Sequence, residues 1–240
     1  MDIRIPISRP NPAGCRGFRD FTIDQLSELC EQHAFAGHVV LKDETCTWVR
    51  LIDFQPPTGR PDTGRLILDG DILHEFGGAN TVMGLEYHET YHRDTDGKEK
   101  RVALRLESCN GRLLGGRSPG DAILVVLDDR FVFARGRSRP LSPAETLREV
   151  VASADGDRAA IEDYLDCEIS MGLLGSDARH WQIELSTLPW REGQRLFPRG
   201  QASAVSQEGV LQVDTPVGSA RWLVYDTNLR YEVIRTLMSL

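Results

Sequence analysis

Apolar and polar residues alternate with a period of two along most of this chain, and only three short stretches fall into the 3.6-residue rhythm of a helix. Thr22 and Gln25 have capping-box spacing ahead of Ile23, Leu26, Leu29 and Cys30, which predicts a short helix ending near Gln32. Residues 1–17, with three prolines and two glycines, predict an irregular lead-in. From Phe35 the period becomes two. Strands are expected over Gly37 to Asp43 and Thr45 to Phe54, joined at Asp43-Glu44, with Val39, Leu41, Trp48 and Ile52 facing a core. Arg65 to Leu68 and Ile72 to Phe76 flank the turn Asp69-Gly70-Asp71, and Arg101 to Cys109 alternates Val102, Leu104 and Leu106 with charged residues. A hairpin at Asp128-Asp129 joins Ala122 to Leu127 with Phe131 to Arg135. About eight short strands within roughly 100 residues predict a sheet closed on itself, because closure removes exposed edges.

Ser142-Pro143-Ala144-Glu145 reads as a helix start feeding the apolar positions Leu147, Val150 and Val151, and a second helical turn is expected at Arg158 to Tyr164. Strand signals resume at Leu165 to Met171, His180 to Leu185, Gly209 to Val213 and Arg221 to Tyr225; Leu229 to Leu240 fits strand or helix equally. The expected fold is therefore mainly β, two tandem small antiparallel β-barrels of calycin or lipocalin type with one or two short helices. The expected division is 1–141 for the first barrel with its lead-in, 142–164 for a helical linker, and 165–240 for a smaller second barrel or sheet.

Composition narrows the function classes. A net charge of -8, from 36 acidic against 28 basic side chains, repels polyphosphate and argues against a nucleic-acid partner. No window approaches the ~18 apolar residues of a membrane span, and the first residues lack the apolar core of a secretory signal, so a cytoplasmic protein with no membrane partner is expected. Five widely spaced cysteines without a Cys-x-x-Cys are expected to be reduced and mostly buried. Arg135 and Arg137, within a basic run that also holds Arg130 and Arg139, are candidates for an anion site, against the simpler reading of a solvated strand end.

The sharpest chemical signal is His88-Glu89-x-x-His92 within Gly84 to Arg93. On a helix the two imidazoles lie one turn apart and can share a zinc ion, with Glu89 as general base. On a strand, four residues span about 13 Å and they cannot. Gly84 inside the would-be helix and the break at Asp94 to Gly97 favour a strand, with Tyr87, Glu89 and Tyr91 on one face and Glu86, His88 and His92 on the other. Gly116-Arg117-Ser118-Pro119-Gly120 matches a nucleophile elbow, but Pro119 lacks the N–H that an oxyanion hole needs there. Asp166, Glu168 and Glu184 read as a charged outer face. Trp48, Tyr87, Tyr91, Trp181, Trp190 and Trp222 are candidates for core or barrel-mouth positions, and Trp48, Tyr87 and Tyr91 are the residues expected to meet a ligand.

Phe35-Ala36-Gly37, Tyr87-His88-Glu89-Thr90-Tyr91, Ala103-Leu104-Arg105-Leu106 and the Ala122 to Arg135 hairpin together resemble a fungal family of kinase-interacting proteins, over about Phe35 to Arg137 and again over Leu165 to Tyr225. The resemblance implies two tandem calycin-like barrels, a strand at Tyr87 to Tyr91, and interaction proteins without catalytic residues to carry over. The chain departs from that pattern in having histidines on both sides of Glu89 and a tyrosine, Tyr91, where the family ends in tryptophan. The functional expectation is a non-enzymatic protein that binds a protein partner or a small apolar ligand, with no cofactor. The alternatives are a zinc hydrolase built on His88, Glu89 and His92, and a barrel enzyme acting on a small hydrophobic substrate.

Overall fold

The computed structural model describes the whole chain except residues 83, 94–97, 112–119, 176–179, 198–202, 208, 216–217 and 240, so the elbow motif at Gly116 to Pro119 lies outside the described residues. Among the described residues the fold is mainly β with four α-helices. Strands β1 (Asp2–Arg4), β2 (His33–Lys42), β3 (Thr45–Asp53), β4 (Thr63–Asp69), β5 (Ile72–Gly77) and β6 (Tyr87–His92) form an antiparallel sheet in that order. The second sheet takes β7 (Arg101–Gly111), β8 (Ala122–Leu127), β9 (Arg130–Arg135), β10 (Glu168–Leu173), β11 (Gln182–Ser186), β12 (Ser203–Gln207), β13 (Val210–Thr215) and β14 (Gly218–Thr227). Its order is β11-β10-β9-β8-β7-β14-β13-β12.

The expected turns are where the sequence places them, at Asp43-Glu44, Asp69-Gly70-Asp71 and Asp128-Asp129, with Asp43 and Asp128 in left-handed backbone. The strands expected to close one barrel are shared out differently. Among the described residues the first ladder runs from β1 to β6 without β1 pairing with β6, which leaves a curled half-barrel, and the second sheet is open. Strands β7, β8 and β9 belong to that second sheet. Strand β8, Ala-Ile-Leu-Val-Val-Leu, is apolar at every position, and such a run needs both faces covered. The second sheet supplies this. One face of its middle strands packs with α4 (Tyr231–Ser239) around Phe131, Phe133, Trp181, Trp222, Ile234 and Met238. On the other face Ile123, Ala134 and Ile169 meet α1 (Ile23–Leu29), α2 (Leu147–Ala152), α3 (Arg158–Leu165) and the half-barrel residues Ala34, Ala36, Ile52 and Phe54. The segment 142–164 thus connects β9 to β10, two strands that pair directly along their length.

Helix α1 carries the expected Thr22–Gln25 capping box. Helix α2 starts a turn later than Ser142 suggests. Thr146 is its N-cap and accepts from the Glu149 N–H, while Gln55 accepts from the Leu147 N–H. Residues Tyr231–Ser239 are helical, with Ile234 and Met238 one turn apart and buried, which settles the ambiguous last segment. Two further expectations are corrected. The lead-in contains β1, which pairs with His33, Ala34 and Phe35. Val39 and Leu41 are not core residues: they are 56% and 64% exposed, because β1 covers only the first residues of β2 and the β2–β3 hairpin projects beyond it. A register shift at Ala36/Gly37 bends β2, and there a Cβ on Gly37 would lie 1.9 Å from the Val49 carbonyl oxygen.

Candidate functional site

Strand β6 has the period-two pattern of a half-buried strand, and its register with β5 decides which side chains meet. Tyr87 lies opposite Gly77, Glu89 opposite Glu75 and Tyr91 opposite Leu73, so these six positions share the concave face. Trp48 and Arg50 from β3, Phe35 from β2, and Asp2 and Arg4 from β1 join them around a cavity of about 280 Å³. Gly77 leaves room here. A Cβ at that position would sit 1.9 Å from a Tyr87 ring carbon, so the glycine makes the space in which the tyrosine lies flat on the strand.

Among the described residues the polar groups form one network around Glu89 and Glu75 and a separate cluster around Arg50. The Arg4 guanidinium donates to both Glu89 carboxylate oxygens, at 2.6 and 2.8 Å, and to Asp2 at 2.8 Å. Arg50 donates to Asp62 at 2.7 Å and to Asp53 at 3.0 Å, with its guanidinium 3.9 Å from the centre of the Phe35 ring. The Tyr87 hydroxyl donates to Glu75 at 2.6 Å, and the Tyr91 hydroxyl lies 2.8 Å from Glu75 and 2.5 Å from Glu89. With one proton, Tyr91 can donate to only one of these carboxylates at a time. Burial would raise the Glu89 carboxyl, but the hydrogen bonds from Arg4 and Tyr91 outweigh it and hold the group below its ordinary value. Tyr87 and Tyr91 are both pushed up, first by burial and then by their hydrogen bonds to carboxylates, so both remain phenols at neutral pH.

Glu75 differs from the other carboxylates of the cavity. It is 5% exposed and directly faces a second carboxylate across the strand pair, and among the described residues no guanidinium or ammonium group forms an ion pair with it. Among the described residues its side-chain partners are the Tyr87 hydroxyl and the Tyr91 hydroxyl, the latter shared with Glu89. A buried carboxylate without a counter-charge is costly, and a cation entering the cavity would relieve that cost.

Trp48, Tyr87 and Tyr91 line the same cavity. Arg135 and Arg137 lie elsewhere and face inward. Arg135, 1% exposed, pairs with Asp166 at 2.6 Å and stands 4.0 Å from Glu168, which also binds Arg191 at 2.9 Å. Glu168 is therefore part of a buried ion cluster and not of a charged outer face, although Glu184 is exposed and faces Arg130. Arg137 donates to the carbonyls of Tyr164 at 2.5 Å and of Asp53 and Phe54 at 2.7 Å each, which ties α3 to the end of β3. A wider cleft of about 1350 Å³ borders this region and shares Asp2, Arg4, Phe35, Trp48, Arg50 and Asp62 with the smaller cavity. Prolines 56, 57, 61 and 140 and already-paired arginines make up much of its wall.

Compared with protein-family models, curated proteins and solved structures, the chain matches none.

The His88-Glu89-x-x-His92 segment is strand throughout. His88 and His92 share the convex face about 13 Å apart, Glu89 points to the other face, and the helical spacing of a zinc hydrolase is absent. Sequence reasoning passed over Glu75, Arg4 and Arg50. Alternation from Leu73 puts Glu75 on the same face as Leu73, but nothing in Asp2-Ile3-Arg4 signals a strand that ends beside β6.

Proposed function

We propose that this chain is a non-enzymatic binding module that holds a small organic cation in its half-barrel, with Glu75 meeting the charge and Trp48, Tyr87 and Tyr91 enclosing the apolar body. The carrying observation is Glu75, a buried carboxylate with aromatic neighbours and no cationic partner among the described residues. The cavity walls hold four carboxylates against two guanidinium groups and the Met1 ammonium, so the excess charge is negative. Its volume of about 280 Å³ lies just below the usual range of roughly 300 to 1,000 Å³ and suits a small ligand. The wholly apolar ligand expected of a lipocalin-like barrel fits this wall less well. We read the half-barrel as a variation on a calycin-type container, with a cytoplasmic setting in keeping with five free cysteines, of which Cys30, Cys46 and Cys167 are buried.

The test is a fragment screen by protein-observed NMR with matched amines, alcohols and carboxylates of one carbon skeleton. The reading expects amines alone to shift the Trp48 indole and the β5–β6 amides. Equal shifts by the alcohols, or shifts confined to the second sheet, would overturn it.

A further inference from the structure

The convex face of the same two strands carries a different arrangement. His74 on β5 lies opposite Thr90, and His88 on β6 lies opposite Phe76, so the two histidines are diagonal neighbours across the pair. Their rings nevertheless meet: Nδ1 of His74 is 3.1 Å from Nε2 of His88. The Phe76 ring lies parallel to the His88 ring, 4.3 Å between centres and 4° between planes, and the Arg65 guanidinium lies 5.2 Å from the centre of the Phe76 ring. Phe76 stacks against His88, and the strand register brings it beside His74.

We propose that His74 and His88 form a two-imidazole site for a borderline divalent transition metal, of the zinc, nickel or copper class. Two metal–nitrogen bonds of about 2.0 to 2.1 Å to atoms 3.1 Å apart enclose an angle of roughly 100°, between the square-planar and tetrahedral values. In the hydrogen-bonded pair one ring nitrogen donates to the other, and the rings must turn away from the line between these nitrogens to aim both lone pairs at a common point. The bridging proton moves through solvent to the far nitrogen of the ring that carried it. His74 then coordinates through Nδ1 with its proton on Nε2, and His88 through Nε2 with its proton on Nδ1, so neutral rings bind without net proton release. Water completes the coordination. Calcium and magnesium, which favour oxygen ligands, are excluded by the donor set. His88 is one of the histidines of the motif noted in the sequence, but its metal-binding companion is His74 from the neighbouring strand and not His92. The bound ion would clip β5 to β6, the outermost pair of the half-barrel, on the face opposite the ligand cavity.

Calorimetric titration of the full chain, without an affinity tag and freed of metal, with Zn²⁺ at pH 7.5 tests the site. One zinc per chain is expected, lost or weakened more than about tenfold by either His74→Ala or His88→Ala, because each removes half of a chelate. His92→Ala should bind as the unaltered chain does. Thermal unfolding with and without zinc provides a second reading, with a stabilisation expected in the unaltered chain and abolished in both variants whose amide spectra remain folded. Absence of zinc binding, binding unchanged by His74→Ala, or binding that depends on His92 would overturn the assignment.

Discussion

Arg4 and Glu89 are 85 positions apart in the chain and lie on the two edge strands of the first sheet, yet the guanidinium grips both oxygens of the carboxylate. The ladder does not close by backbone hydrogen bonds among the described residues; this side-chain pair spans the gap instead. It joins the two edges of the half-barrel beside the cavity. Removing either partner should loosen β1 from β6. In a double-mutant cycle of Arg4→Met and Glu89→Gln, urea unfolding should give a coupling of about 0.5 to 1 kcal/mol at low salt, since the pair is bidentate but partly exposed. The coupling should shrink in 1 M salt, where the Debye length is about 3 Å.

Glu89 also predicts a pH dependence. Its folded-state pKa lies below the ordinary value of about 4.5, so the unfolded chain binds a proton at higher pH than the folded one. The stability it contributes is complete above that ordinary value and disappears as pH falls through the lower folded value. Stability measured from pH 6 to pH 2 should therefore fall more steeply in the unaltered protein than in Glu89→Gln, and parallel curves would contradict the assignment.

Gly77→Ala should displace Tyr87. The new methyl group has no space beneath the ring, and overpacking of this kind costs about 1 to 3 kcal/mol. The variant should unfold at lower urea concentration and lose the Tyr87–Glu75 hydrogen bond, seen as a lower phenol pKa in a spectrophotometric titration.

Arg137 is read here as a structural tie. Arg137→Met leaves the carbonyls of Asp53, Phe54 and Tyr164 without their guanidinium partner, and should destabilise the fold by about 2 to 4 kcal/mol. Cation binding in the half-barrel should survive wherever the variant remains folded. A variant of unchanged stability would show that the arginine is free for another role.

The local part of this structure was legible from the residues. Alternation at Tyr87 to His92 identified a strand and its inward face, Asp69-Gly70-Asp71 identified a turn, and Thr22 with Gln25 identified a helix start. The pairing of distant strands was not legible. Strand β14 lies beside β7, and β1 beside β2, because long-range register depends on which apolar faces find each other, and period-two patterning is the same whichever neighbour a strand takes. Of the site, its aromatic half could be anticipated because Trp48, Tyr87 and Tyr91 stand on predicted strands. The charged half could not, because Arg4, Glu75 and Glu89 become one network only once the sheet curls. Arg135 and Arg137 misled for a related reason: a dense basic run looks exposed until its buried acceptors are known.

Calorimetry with phenethylammonium, using 2-phenylethanol as its neutral counterpart, tests the central claim most directly when run on the unaltered chain and on Glu75→Gln. The half-barrel reading predicts saturable one-to-one binding of the cation, weakened at least about tenfold by Glu75→Gln because one charge-assisted contact is lost, and little or no binding of the alcohol. Equal affinity for the two compounds, or binding of the cation that is indifferent to Glu75→Gln, would contradict it.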